Sequence, residues 1–241
     1  MKNMIMNLMK SYQLVAFGLL ASLSGYAQQT KTIDIKSFNK VRILGCVTAE
    51  LLKNDSPSLV ITTPKSLDDS KVTVETKNDE LIIRQKWEKE VVKKGDCRAS
   101  DIHVSLAYTN LESLYTGVGA DVKVLQVVQT RDLDLQAATG SQITLEADVR
   151  NLKAKAAQGA VLELSGKASE QQTSVNTGGE IHAYNLTSED AFVKANTGGV
   201  AWITVTQRLD ASANTGGAVR YKGKPSRKNV SSNLGGEVKA E

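Results

Sequence analysis

The sequence predicts an all-β solenoid: a single-stranded β-helix of about seven C-terminal coils of roughly 19 residues, preceded by an N-terminal β-strand section. Three observations carry this. Glycine-centred turns recur at Gly119, Gly140, Gly159, Gly178, Gly198, Gly216 and Gly235, spaced 18 to 21 residues apart. The later turns are near copies: Asn176-Thr177-Gly178-Gly179, Asn196-Thr197-Gly198-Gly199, Asn214-Thr215-Gly216-Gly217 and Asn233-Leu234-Gly235-Gly236. Aligned on these glycines, whole columns are apolar. Three residues after each stand Val122, Ile143, Leu162, Ile181, Ala201, Val219 and Val238, and five after stand Val124, Leu145, Leu164, Ala183, Ile203, Tyr221 and Ala240. Five before stand Leu114, Leu135, Ala154, Thr173, Val193, Ala211 and Val230, and the columns between are largely polar. Alternate side chains of such a chain point inward and stack on their equivalents in neighbouring coils.

Residues 1–27 read as a signal peptide. Lys2 and Lys10 precede an apolar run of ten residues, Leu14 to Leu23, and Gly25-Tyr26-Ala27 offers small residues for cleavage. The run falls short of the roughly 20 residues that a membrane span needs, so the chain after cleavage is expected to be exported and not membrane-spanning. Leu44-Gly45-Cys46 looks like a lipoprotein box but lies more than twenty residues past the apolar run, which excludes it. Without Lys2 and Lys10 the chain has 28 Lys and Arg against 26 Asp and Glu, a net charge of +2 with the charges interspersed. That balance argues against a nucleic-acid partner.

Residues 28–107 form the N-terminal β section that caps the solenoid, and 108–241 the glycine-repeat β-helix. Val41–Leu44, Leu59–Thr62, Val72–Glu75, Leu81–Arg84 and Ile102–Leu106 read as strands. Lys77-Asn78-Asp79 reads as a tight hairpin turn, Ser66 to Ser70 as at most one helical turn, and Trp87 to Arg98 as a solvated charged loop. The chain has two cysteines, Cys46 and Cys97; an even count in an exported chain favours one disulfide between them. Closing that loop of about 50 residues contributes ~4 kcal/mol in the chain-entropy model.

The Asn column (Asn176, Asn196, Asn214, Asn233) has an architectural reading. Asn tolerates a left-handed corner and stacked Asn side chains bond along the axis, while the adjacent glycines supply positive φ. A calcium-binding β-roll needs Asp in a Gly-Gly-x-Gly-x-Asp repeat, and a phosphate loop needs a strand-to-helix transition. These turns meet neither demand.

The order of motifs resembles one family. It comprises the signal peptide, Ile33 to Leu52 with Phe38-x-x-Val41, the Val72-to-Ile83 hairpin, Tyr108-x-x-Leu111-x-x-Leu114, and Gly117-Val118-Gly119-Ala120-Asp121-Val122 before the repeats. In this order the chain is similar to the exported auto-transporter adhesins with a head GIN domain of Gram-negative bacteria, over essentially all of residues 28–241. The resemblance implies a right-handed β-helix-like solenoid and an adhesin-like role, with no catalytic residue set to transfer.

Right-handed β-helices also serve polysaccharide lyases and hydrolases, which need convergent carboxylates or a metal-binding acidic cluster. Asp121, Glu180 and Glu237 fall on non-adjacent coils, Glu146 and Glu163 in different columns, and His103 and His182 on different coils. No catalytic, metal or cofactor site is therefore expected. One outward column stands out. Four residues after the pivots lie His182, Trp202 and Arg220 on successive coils, with Tyr184, Thr204 and Lys222 two residues further on the same face. Aromatic rings beside cations stack on a sugar or anchor a protein. The competing account is that Trp202 and Arg220 stack on each other and merely cover the sheet.

The expectation is an exported, non-enzymatic binding or adhesion module, periplasmic or at the cell surface. It presents His182, Tyr184, Trp202, Arg220 and Lys222 to a glycan or to an envelope or host protein. The alternatives are a polysaccharide-active β-helix enzyme and a structural component that self-associates as a homo-oligomer through its terminal coil, whose strand edge is uncapped.

Overall fold

The computed structural model describes residues 28–64, 71–86 and 102–241. The expected signal peptide, the Ser66–Ser70 turn, the charged loop from Trp87 and Cys97 lie outside them. Seventeen strands among the described residues join one sheet. The first nine are β1 (Gln28–Ile33), β2 (Lys40–Leu44), β3 (Thr48–Lys53), β4 (Ser58–Pro64), β5 (Val72–Lys77), β6 (Glu80–Gln85), β7 (His103–Tyr108), β8 (Ser113–Gly117) and β9 (Asp121–Val124). The long repeats follow as β10 (Val128–Ala138), β11 (Gln142–Ala157), β12 (Val161–Asn176), β13 (Glu180–Asn196) and β14 (Val200–Asn214). The last coils are β15 (Ala218–Lys222), β16 (Arg227–Asn233) and β17 (Glu237–Ala240). The molecule is an all-β solenoid, as the glycine spacing predicts.

The apolar columns stack in register. Val122, Ile143, Leu162, Ile181, Ala201 and Val219 pair in succession across the parallel strands, and all six are fully buried. Leu135 pairs with Leu114 and with Ala154, and that column runs on through Thr173, Val193 and Ala211 to Val230. Thr173 is the polar member of this column, and Gln171 stands two residues before it in the next inward column, between Leu152 and Ala191. Gln171 and Thr173 are buried, and Gln171 Nε2 donates to Thr173 Oγ1 at 2.9 Å. The terminal coil breaks the pattern of burial: every residue of β16 is exposed.

The N-terminal part is threaded differently from its order in the sequence. β2 pairs in parallel with both β6 and β8, and β3 with both β7 and β9. Residues 40–53 therefore form a further coil, inserted between one made by β6 and β7 and one made by β8 and β9. Its corner lies under a later glycine turn, with the Gly45 N–H donating to the Gly117 carbonyl at 3.1 Å. Beyond this coil the end is closed by antiparallel strands: β5 on β6, β4 on β7, and β1 on β4. Asn78 and Asp79, both at positive φ, make the hairpin turn between β5 and β6. Cys46, in the corner between β2 and β3, is buried and disulfide-bonded; the only other cysteine is Cys97.

The glycine turns correct one expectation. The left-handed residues are not the asparagines but the pair that follows, such as Thr177 (φ 50°) and Gly178 (φ 68°). Asn176 ends its strand, and its carbonyl accepts the Gly179 N–H at 3.0 Å. A Cβ added at Gly179 would lie 2.5 Å from the Ala156 carbonyl oxygen, so close approach of the neighbouring coil requires glycine there. The side-chain ladder forms as expected. Asn196 Nδ2 donates to Asn176 Oδ1 at 3.1 Å, Asn214 to Asn196 at 3.2 Å, and Asn233 to Asn214 at 3.2 Å.

Candidate functional site

β13, β14 and β15 place His182, Trp202 and Arg220 opposite one another in neighbouring strands, roughly 5 Å apart. The alternation that buries Ile181, Ala183, Ala201, Ile203 and Val219 turns these three outward. The His182 and Trp202 rings stack, with centroids 4.3 Å apart and planes 11° from parallel. His182 Nε2 also lies 2.9 Å from Glu180 Oε2, which fixes the edge of its ring. The expected Trp–Arg stacking is replaced. Arg220 turns to the last coil, where its Nη1 donates to Glu241 Oε1 at 3.2 Å.

Glu241 joins the rest of the patch. Its other carboxylate oxygen, Oε2, accepts the Tyr184 hydroxyl, and Lys222 Nζ lies 4.2 Å from the centre of the Tyr184 ring. Tyr184 does not stand in a simple ladder with Thr204. The pairing of β13 with β14 slips between Ala183 and Thr187, and Tyr184 occupies that bulge. Thr204 Oγ1 donates to the Tyr184 carbonyl at 2.8 Å, while Thr204 pairs in the sheet with Lys222. The five expected residues thus fall into two groups: His182 stacks on Trp202, while Tyr184, Arg220 and Lys222 gather around a sixth residue not singled out, Glu241. Column arithmetic would have found it, because Glu241 stands six residues after Gly235 as Lys222 does after Gly216.

The local electrostatics follow from this closure. Burial against the face pushes the Tyr184 phenol well above its ordinary range, the Glu241 carboxylate adds to that, and Arg220 opposes it. The hydrogen bonds from Tyr184 and Arg220 hold the Glu241 carboxyl below the usual carboxylate range. Beside His182 runs a groove of about 700 Å³, lined among others by Gln126, Thr144, Glu146, Glu163, Ser165 and Asn185.

The acidic and histidine side chains that the sequence singles out in the outward columns are spread out. Asp121, Glu180 and Glu237 share one column with two strands between successive members, roughly 14 Å apart. His103 lies five strands from Glu180 on the same face, roughly 24 Å away. Among the described residues no group of three or more His, Cys, Asp and Glu side chains is placed to hold a metal ion. No helix among them is long and apolar enough to cross a membrane.

Residues 37–225 match the family described as "Putative auto-transporter adhesin, head GIN domain". The chain belongs to that family. Membership implies an exported protein and covers His182 through Lys222, while β16, β17 and Glu241 lie beyond the match. This head GIN domain shares its fold with a "putative adhesin" from Bacteroides fragilis: TM-score 0.80, 19% identity, 89% of this chain and 97% of that one covered. A "putative adhesin" from Parabacteroides merdae gives a TM-score of 0.69 at 21% identity, covering 90% and 97%. A "putative lipid binding protein" from Parabacteroides distasonis gives 0.67 at 20%, covering 90% and 98%. No curated protein matches the head GIN chain.

Proposed function

We propose that this head GIN domain is a non-catalytic adhesion module, presenting a rigid β-face to a glycan at the cell envelope. The observation that carries the reading is the His182–Trp202 stack. The two rings stack face to face across adjacent strands, so their arrangement is organised before any ligand arrives and little side-chain entropy remains to be lost. The outer faces and exposed edges of such a stack are apolar surface against which a sugar ring packs. The neighbouring groove supplies amide, hydroxyl and carboxylate groups from Gln126, Asn185, Thr144, Ser165 and Glu163, the set that hydrogen-bonds sugar hydroxyls.

The polysaccharide-active alternative is weaker for a physical reason. Glu146 and Glu163 lie diagonally on neighbouring strands of the groove, yet both are exposed. A glycosidase holds its two carboxyls facing each other across an enclosed cleft, which this exposed pair on an open face does not provide. The family description as an adhesin and the export it implies agree with a binding role, with residues 1–27 as the signal peptide and the periplasm or cell surface as its place.

The test is a glycan array probed with residues 28–241 and with Trp202→Ala. Saturable binding that the variant weakens by about tenfold or more, with thermal stability retained, is the expected result. Equal binding by the variant would remove the platform from the site.

A further inference from the structure

The glycan reading leaves open which sugar the face takes, and Glu241 bears on that. Its carboxylate occupies a receptor with a partner for each oxygen: the Arg220 guanidinium on Oε1 and the Tyr184 hydroxyl on Oε2. The Lys222 ammonium, over the Tyr184 ring, adds positive charge to the same spot. Guanidinium with a neutral hydroxyl is a donor set suited to a planar carboxylate. The occupant is held loosely. Glu241 follows directly on β17, which among the described residues pairs only with β15 and whose residues are exposed apart from half-buried Val238.

We infer that the face recognises a glycan carrying one acidic sugar, whose carboxylate replaces the Glu241 side chain between Arg220 and Tyr184 while neutral sugars pack against the His182–Trp202 stack. This rests on the glycan reading. The position of the charges favours a single acidic residue over a polyanion or an acidic protein segment. Cations gather at the Arg220–Lys222 end, whereas the groove beyond His182 carries the exposed carboxylates Glu146 and Glu163. A chain of anions running the length of the face would meet like charge there. Glu241 is then an internal competitor, and the apparent affinity for the ligand is lowered by the fraction of molecules in which it is seated.

The experiment is calorimetric titration with sialyllactose, which carries one acidic sugar on a neutral disaccharide, and with its methyl ester. Wild type, Glu241→Gln, Arg220→Gln and Trp202→Ala are compared, each after a thermal melt confirms folding. Wild type is expected to prefer the acid over the ester by about tenfold. Glu241→Gln should tighten binding of the acid roughly severalfold and leave the ester unchanged, while Arg220→Gln should abolish the preference. Equal binding of acid and ester, no binding of the acid by Glu241→Gln, or no gain on neutralising Glu241 would overturn the inference. So would binding of an acidic peptide in place of sialyllactose. The two readings fail separately. Neutral glycans that need Trp202, with no preference for the acid, would sink the carboxylate site and keep the platform. Acid binding that needs Arg220 but ignores Trp202 would do the reverse.

Discussion

Tyr184 holds its proton more firmly in the folded chain than a free tyrosine does. Burial against the face and the Glu241 carboxylate both disfavour the phenolate, so its folded pKa lies above the ordinary 10.0. A group raised in this way stabilises the folded state below its unfolded pKa, and that contribution is lost as pH rises through the folded value. Glu241 runs the other way. Its lowered pKa makes the contact complete above the ordinary carboxylate range, and it is lost as pH falls through the folded value. In an alkaline titration followed by tyrosinate absorbance, one component should ionise late and be absent in Tyr184→Phe. Glu241→Gln should move that component down in pH, and no movement would show that the hydrogen bond does not form. Tyr108, buried with its pKa also raised, accounts for a second late component that neither variant removes. At this scale the sequence announced which side chains face outward, because period-two alternation fixes that. The choice of partner was hidden: Arg220 with Glu241 rather than Trp202 depends on rotamers and on how the last strand folds over the face.

Single coils are held by columns, and the exception within them makes a test. Gln171 stands between Leu152 and Ala191, and Thr173 between Ala154 and Val193, all buried. The two polar residues satisfy each other through one hydrogen bond, which leaves Gln171 Oε1 without a partner. Thr173→Val alone should cost about 1–2 kcal/mol in urea unfolding, because Gln171 Nε2 then loses its acceptor in the core. Adding Gln171→Leu should return stability to the wild-type value or above it, since both polar groups are then gone. Equal losses in single and double variants would mean that packing, not hydrogen bonding, sets the cost. The seven glycine turns were legible because the close approach of coils leaves glycine or another small residue at the inner corner, a demand that repeats with the coil. The coil made by β2 and β3 was not. It lies out of chain order, between strands about 40 and 70 residues later in the sequence, so no periodic spacing marks it. The Asn column was read correctly as a side-chain ladder and wrongly as a left-handed corner. The backbone strain falls on Thr177 and its equivalents, where composition alone does not point.

Across the whole molecule, stability in a solenoid is close to a sum over neighbouring coils, so its ends decide how it opens. The two ends are built differently. At one, antiparallel β5, β4 and β1 cover the first coils, and the disulfide at Cys46 ties the inserted coil. At the other, β16 and β17 each pair with a single strand among the described residues, β16 is exposed throughout, and Val230 stands 43% exposed in a column buried in every earlier coil. Opening should therefore begin at β17 and β16 and travel inward. Hydrogen exchange measured residue by residue should show protection highest in β12 and β13, which have long neighbours on both sides, and lowest in β16 and β17. Cys46→Ser removes a constraint at the opposite end. It should lower global stability by about 2–4 kcal/mol while leaving the rapid exchange of β16 and β17 unchanged. Loss of protection spread evenly from Cys46 to β17 would instead show that the coils unfold as a single cooperative unit. In that case Glu241 and Arg220 would open only with the whole solenoid, and the loose hold of β17 on the candidate site would disappear.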